Sequence, residues 1–261
     1  VQRSHQEKVY QQNLALIRQV NVLFFNGKQE EAFNKIRALQ QEKPLDYVFQ
    51  FAEDSLLLSL QAVADDEFRN LKFKEANYYY KLLQRFEDPV RIHTLQRIAE
   101  CEYYSGEYES SLTILKELLN KQPDNIDLIH RIAVIYQDDL KDYAQALRYL
   151  TQGRKNFKAY MTNLYGAAFE LMMEPQYVHE RYVDIFKRRA EVNLLLKKYS
   201  DAEKDCNWSV LLRPQQAYAY YMRAQAALHL PNQQRVCSDL QKATALGHQP
   251  AKVLLKRHCG R

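Results

Sequence analysis

A spacing template that recurs along this chain constrains its fold more than any other sequence feature. The template runs from a small residue to a second one twelve positions later, to a third position seven further on, and to a proline after five more. Copies that end on proline begin at Val20, Ala99 and Ala190, and less regular copies begin at Ala64, Ala133 and Ala224. The steps from Ala99 to Ala133 and from Ala190 to Ala224 are both 34 residues. A fixed period of this size is the signature of stacked structural repeats.

Each copy contains two apolar-periodic segments that are separated by a short break. In the copy near residues 92–125, apolar residues around Ala99 follow the i, i+3, i+4 spacing of one helix face. Gly106 interrupts this pattern, and glycine suits the left-handed cap at the end of a helix. A second apolar stripe then runs as far as Pro123, which cannot continue a helix. Because Ala99 and Ser111 are small, the two helix backbones can approach closely, so each copy predicts an antiparallel helix pair.

The composition supports long helices with short connections. Glycine and proline together make up about 5% of the chain, whereas the average is near 12%. A β-sandwich or β-barrel needs many turns, and those turns need glycine and proline. The hydrophobic content of 46% and the charged content of 26% are ordinary for a folded protein. The sequence therefore predicts an all-α fold.

The helix pairs resemble those of the tetratricopeptide repeat (TPR) family. Residues 129–136 fit the family's first-helix spacing around Ala133, and Ala76 and Ala146 fit the small-residue position of its second helix. The resemblance covers most of the chain and implies a right-handed superhelical solenoid of antiparallel helix pairs, with residues 1–261 as a single domain. It places about six repeats near residues 13–46, 57–90, 92–125, 126–160, 183–216 and 217–250. A C-terminal cap helix follows at 250–259.

Two stretches depart from the 34-residue period. The step from Val20 to Ala64 is 44 residues, so we expect the segment 45–70 to hold an extended first helix. The step from Ala133 to Ala190 is 57 residues and leaves an irregular insert at 160–182. An extra helix, a kinked extension of the next helix and a loop are all compatible with this insert.

The four cysteines fall into two groups. Cys101 and Cys206 take helix positions that are typical of buried small hydrophobic residues. Cys237 lies near the start of the last second helix and Cys259 near the end of the cap helix, so antiparallel packing would allow a disulfide. This stretch also resembles the C-terminal repeat of bacterial envelope-associated TPR proteins. A disulfide would favour an oxidising compartment such as the periplasm, and the alternative is two unpaired thiols in a cytosolic protein.

The sequence lacks the motifs that usually carry enzyme chemistry. It contains no GxGxxG, GxxxxGK[ST], GxSxG or HExxH pattern, and its six glycines leave little material for a phosphate-binding loop. The spacing of Cys237, His248, His258 and Cys259 matches no usual zinc site. No apolar run approaches the ~18 to 20 residues that span a bilayer. We therefore expect a non-enzymatic chain that has no cofactor, no metal site and no transmembrane segment.

The resemblance implies a scaffold for protein partners. First helices would line a concave face, where residues three before, one after and four after the small alanine share one side. This rule gives the candidate partner-binding residues Gln96, Glu100, Tyr103, His130, Gln137, Lys187, Glu191, Tyr221 and Gln225, and it also selects Gln61, Asp65 and Phe68. Their mixture of polar and aromatic side chains suits an extended peptide or a partner protein. A second hypothesis is that the chain is one domain of a larger protein and acts within a bacterial envelope assembly.

The basic C-terminal third offers an alternative function. Residues 181–261 carry a net charge of +9, whereas residues 1–180 carry −4. Such an end attracts an acidic partner, anionic lipid or nucleic acid. The candidate cations are Arg181, Lys187, Arg188, Arg189, Lys197, Lys198, Lys252, Lys256 and Arg257. Because acidic residues interrupt this field and no RNA-reading motif is present, nucleic acid is the less favoured partner.

Overall fold

The computed structural model describes residues 2–231 and 233–260, with side chains from residue 6 onward. Regular structure in this part of the chain is entirely helical, and helices adjacent in sequence pack in pairs, which confirms the prediction of an all-α fold. The helices are α1 (Gln2–Phe25), α2 (Gln29–Glu42), α3 (Tyr47–Arg69), α4 (Phe73–Phe86), α5 (Ile92–Tyr104), α6 (Tyr108–Lys121), α7 (Ile126–Val134), α8 (Tyr143–Tyr165), α9 (Phe169–Met172), α10 (Glu180–Leu195), α11 (Tyr199–Leu212), α12 (Ala217–Ala227), α13 (Val236–Ala245) and α14 (Gln249–Cys259).

The chain divides between Ile114 and Leu115, within α6, into two compact units, which we call unit 1 and unit 2. In unit 1 the small template residues lie where helices meet, since Ala64 of α3 and Ala76 of α4 are fully buried. The hydroxyl of Ser111 donates a 2.7 Å hydrogen bond to the carbonyl oxygen of Ala99, which ties α6 to α5. Small side chains at these positions let the backbones approach, as the spacing predicts.

Unit 2 shows the same use of small residues. Ala190 of α10 and Ala202 of α11 are fully buried where these two helices pack. Gly153 of α8 lies so close to α10 that an added Cβ atom would overlap the side chain of Ile185. A larger residue at position 153 would therefore force the Ile185 side chain to move.

A single π-helical turn, Ile135–Asp139, follows α7. The sequence has one residue more than the template between Ala133 and Ala146, and this turn accommodates it. Such π-turns inside helices are often found at functional sites. Here the turn carries Gln137 and Asp138, which both contact α10.

The insert combines an extension of the preceding helix, which the sequence did not predict, with a short extra helix and irregular backbone, which it left open. The preceding helix, α8, continues through Tyr165 and is followed by the short α9 and a 3₁₀ turn at Pro175–Tyr177. Phe157 and Met161 recur four residues apart on α8 and are both buried, so the apolar helix face extends beyond residue 160. The irregular backbone is thereby confined to residues 166–179.

The last helix, α14, packs against α13. A disulfide joins Cys237 at the start of α13 to Cys259 at the end of α14, with 5.7 Å between their Cα atoms. Cys101 and Cys206 are free and buried. The half-buried Leu254 packs on the core of α12 and α13, so α14 covers the last apolar surface of unit 2.

We expect loss of this disulfide to destabilise α13 and α14 by about 3 kcal/mol, because it closes a loop of 22 positions. Hydrogen exchange of the α14 amides, measured with and without a thiol reductant, checks this. The double variant Cys237→Ser/Cys259→Ser is the control. Its α14 amides should exchange as fast as those of the reduced protein, and the reductant should not change their rate. Equal protection of α14 in oxidised and reduced protein would contradict the expectation.

Candidate partner-binding face

In unit 2 the first helices of two successive pairs, α7 and α10, lie side by side in parallel. Their contacts join residues that are 54 positions apart in the sequence. The three pairs are Asp127 with Arg181 at 2.8 Å, His130 with Asp184 at 2.6 Å, and Gln137 with Glu191 at 2.8 Å. Together with Tyr218 of α12, these six residues form what we call the polar face of unit 2.

Asp184 is the most heavily bonded carboxylate of the polar face. It accepts hydrogen bonds from His130 Nε2 at 2.6 Å and from Arg188 Nε at 2.8 Å, and it forms an ion pair with Lys187. Although burial opposes ionisation, the bonds from His130 and Lys187 hold the pKa of Asp184 well below its usual range. Arg188 also donates to Asp138 in the π-turn at 2.8 Å. Asp184 is therefore a fixed negative charge whose partners are fixed with it.

Glu191 has different surroundings, two helical turns nearer the end of α10. It accepts a 2.8 Å hydrogen bond from the side-chain amide of Gln137, and the Tyr218 hydroxyl lies near enough to interact electrostatically with its carboxylate. Burial raises the pKa of Glu191, and the hydrogen bond from Gln137 and the nearby Lys187 and Arg188 only partly offset this effect. Burial and the Glu191 carboxylate together raise the pKa of the Tyr218 hydroxyl to about 12, so this hydroxyl remains a donor at neutral pH.

An aromatic cluster, Tyr218, Tyr221 and His248, continues the polar face toward the C-terminus. The ring centroids of Tyr218 and Tyr221 are 6.3 Å apart, and those of Tyr221 and His248 are 4.4 Å apart. The side-chain amide of Gln225 donates to the Tyr221 hydroxyl at 3.1 Å. His248 Nδ1 accepts a hydrogen bond from the Ala251 amide and so caps α14. This cap links the cluster to the last helix.

In unit 1 the candidate residues of α5 lie among aromatic and charged neighbours. Glu100 accepts a 2.9 Å hydrogen bond from Arg97, whose guanidinium group lies 4.5 Å from the ring centroid of Phe68. The ring of Tyr103 contacts that of Tyr108. Gln96 is half-buried on the same helix.

Helix α3 in unit 1 carries an exposed apolar stripe that sequence reasoning missed. Tyr47, Phe51 and Leu58 are 73%, 73% and 65% exposed. Their i, i+4, i+11 spacing places them on one side of α3, which they share with Gln61 and Asp65. The spacing was visible in the sequence, but the rule used for candidate residues reached only one turn to either side of Ala64. These exposed side chains make this side of α3 partly apolar, with the exposed Asp54 between Phe51 and Leu58.

Solved structures similar to this chain include TPR proteins. One named MamA AMB-1 has a TM-score of 0.56 at 13% sequence identity, over 77% of this chain and 98% of its own. The C-terminal part of a TPR repeat-containing protein from Cytophaga hutchinsonii has a TM-score of 0.54 at 14% identity, over 88% of this chain and 78% of its own. The sequence matches no protein-family model and no curated protein. This chain has a TPR-like fold.

In this TPR-like fold, the six candidate residues of unit 2 lie on or beside one connected surface. Lys187, Glu191, Tyr221 and Gln225 keep part of their side chains exposed. His130 and Gln137 are 7% and 6% exposed, so they position Asp184 and Glu191 rather than offer surface of their own. The candidate rule missed the contributions of Asp184, Arg188, Tyr218 and His248.

The basic residues of the TPR-like C-terminal part fall into two groups. Arg181, Lys187, Arg188 and Arg189 each form an ion pair within unit 2. The exposed group is Lys197, Lys198, Lys252, Lys256 and Arg257.

Between residues 2 and 260, leaving out 232, no helix is both long enough and apolar enough to cross a membrane. Over the same residues, no group of three or more His, Cys, Asp or Glu side chains is placed to hold a metal ion.

Proposed function

We propose that this chain is a non-enzymatic protein–protein interaction scaffold that binds an extended segment of a partner across the polar face of unit 2. The observation that carries the proposal is that three successive first helices meet at one surface. The hydrogen bonds His130–Asp184 and Gln137–Glu191 join α7 to α10, and Tyr218 of α12 lies beside Glu191. Stacked helix pairs use such surfaces to bind extended ligands. The TPR-like fold supports the same function.

The polar face is preorganised for binding. Its carboxylates Asp184 and Glu191 are fixed by hydrogen bonds before any ligand arrives, so binding does not have to order them. Tyr218 and Tyr221 then offer ring surface at low entropic cost, and tyrosine is enriched among residues that dominate binding energy. The exposed stripe Tyr47, Phe51 and Leu58 gives unit 1 a separate surface of more apolar character.

The disulfide bears on where this scaffold works. Cys237 and Cys259 are bonded, and disulfides persist in oxidising compartments. We propose that the scaffold works in an oxidising compartment such as the periplasm, within an envelope assembly; the disulfide supports the oxidising compartment.

Binding of an anionic partner remains the second candidate. Lys252, Lys256 and Arg257 are exposed on α14, and α14 contains no acidic residue. The pairing of Arg181, Lys187, Arg188 and Arg189 within the chain removes four of the nine candidate cations from this role. A steep loss of affinity with rising salt would favour this candidate over the polar face.

Capture from native cell extract tests the scaffold proposal. The bait is the full chain, beside the double variant Tyr218→Ala/Tyr221→Ala. We expect the specific partner to be lost by at least about tenfold, since each aromatic anchor of an interface contributes about 1–2 kcal/mol or more. Tyr177→Ala is the matched control, because Tyr177 is 77% exposed and lies in the 3₁₀ turn outside the polar face. Equal capture by all three baits would show that the polar face is not the binding surface.

A further inference from the structure

We propose that Glu191, Tyr218 and Tyr221 form a subsite for an arginine side chain of the bound partner. This inference rests on the proposed function and names the ligand chemistry of one end of the polar face. It follows from the way in which a half-buried carboxylate, two tyrosine rings and the neighbouring charges are arranged.

The Glu191 carboxylate receives its hydrogen bond from a neutral donor. The Gln137 amide donates at 2.8 Å, and the neutral Tyr218 hydroxyl lies beside the carboxylate. Lys187 and Arg188 compensate this half-buried carboxylate only partly, so a cation that approaches it gains more than it would at the surface. Burial raises the pKa of Glu191, which reflects the same incomplete compensation.

The basic side chains nearest to Glu191 are already paired elsewhere. Lys187 forms an ion pair with Asp184, and Arg188 binds both Asp184 and Asp138. The two cations and the two aspartates balance one another. Glu191 is thus the unbalanced negative charge of this cluster, and it lies at the edge where the tyrosines begin.

The tyrosine rings provide a surface for the cation beside that charge. Tyr218 is 41% exposed, and its ring plane is inclined by 29° to that of Tyr221 with 6.3 Å between centroids. A cation within about 6 Å of a tyrosine ring is attracted to its face. A guanidinium group suits this corner better than an ammonium group because it is planar, stacks on aromatic rings and is more weakly hydrated.

Binding of a short peptide to the full chain tests the subsite. The probes are N-acetyl-Gly-Gly-Xaa-Gly-Gly amides in which Xaa is arginine, lysine or citrulline, the neutral isostere of arginine. Nuclear magnetic resonance titration follows the ring signals of Tyr218 and Tyr221. We expect saturable binding of the arginine peptide, weaker binding of the lysine peptide, and an affinity for the citrulline peptide lower by about tenfold or more.

Glu191→Gln should lower the affinity for the arginine peptide by about tenfold and should leave the citrulline peptide unaffected. Asp201→Asn, which removes an exposed carboxylate from α11, should change neither. Citrulline or lysine peptides that bind as tightly as arginine, no saturation up to about 10 mM, or an unaltered Glu191→Gln variant would overturn the subsite. Because the citrulline comparison uses the unmodified chain, it decides the matter even if the variant folds poorly.

The two proposals fail separately. If the Tyr218→Ala/Tyr221→Ala bait loses its partner while the arginine and citrulline peptides bind equally, the scaffold function stands and the arginine subsite is wrong. If that bait captures the same partner as the unmodified chain, the polar face itself is not the binding surface.

Discussion

Replacement of Phe157 by alanine is expected to lower the free energy of unfolding of unit 2 by about 3–5 kcal/mol. The side chain is 1% exposed and lies at the centre of an aromatic cluster. Its ring centroid is 5.1 Å from that of Phe186, 5.3 Å from Tyr182, 5.4 Å from Trp208 and 6.2 Å from Phe169. Truncation leaves a cavity that four rigid rings cannot fill without leaving their packed positions. Chemical denaturation followed by Trp208 fluorescence measures the loss.

The same variant should loosen the segment 166–179. Phe169, Met173 and Val178 are its buried anchors, and they pack in the core that contains Phe157. Limited proteolysis should then cleave the variant in this segment faster than the unmodified chain. Leu164→Ala is the matched control on α8, because its side chain is 53% exposed and its loss should cost no more than about 0.5 kcal/mol. Equal stability of the two variants would contradict this account of the insert.

The sequence predicted the helix pairs well because the determinants of pairing are local. The small residues Ala99 and Ser111 lie twelve positions apart, and the Ser111 hydroxyl bonds the Ala99 carbonyl oxygen directly. Close backbone approach needs a small side chain at each crossing, and a spacing template records that requirement. The extra residue after Ala133 was visible in the same way, although the template cannot show that it forms a π-helical turn.

The insert could not be predicted from the template, since the template carries information only where residues repeat. The extension of α8 through Tyr165 depends on Phe157 and Met161, which pack against Phe169 and Val178 from the segment that follows. These are contacts between non-repeating residues. They have no counterpart in the other helix pairs from which a rule could have been taken.

The polar face was only half predictable for a related reason. Positions around Ala133 and Ala190 selected Gln137, Lys187 and Glu191, but the spacing of 57 residues between the two alanines does not give the partners. The actual pairs are 54 residues apart, so His130 meets Asp184, one turn before the equivalent position Lys187. This shift follows from how α7 and α10 pack, which the residue pattern of either helix alone does not contain.

Replacement of Asp239 by alanine is expected to destabilise the α11–α13 region by about 3–5 kcal/mol, because it leaves a buried cation without its partner. Arg223 Nε and Nη2 donate to the two oxygens of Asp239 at 2.8 and 2.7 Å, and the third contact, from Nη1 to Asn207, is 3.0 Å. The Arg223 and Asp239 side chains are 13% and 5% exposed. Hydrogen bonds to Asp239 raise the pKa of Arg223 in the unmodified chain. Arg223 also keeps its proton in the variant, because a guanidinium group is not deprotonated in proteins, so the uncompensated charge remains.

The double variant Arg223→Met/Asp239→Leu separates two effects. One is the net contribution of the ion pair to stability, and the other is the cost of a buried charge without a partner. The double variant should recover most of the stability that Asp239→Ala loses, because apolar residues of similar volume replace a buried ion pair at little cost. Asp201→Ala is the surface control. Asp201 pairs with Lys204 at 3.4 Å, their side chains are 47% and 59% exposed, and loss of this pair should cost less than about 1 kcal/mol. Urea denaturation monitored by helical circular dichroism ranks the three variants. If Asp239→Ala were no less stable than Asp201→Ala, the buried pair would not hold α12 and α13 together, and the apolar contacts around Leu240 and Ala224 would have to do so.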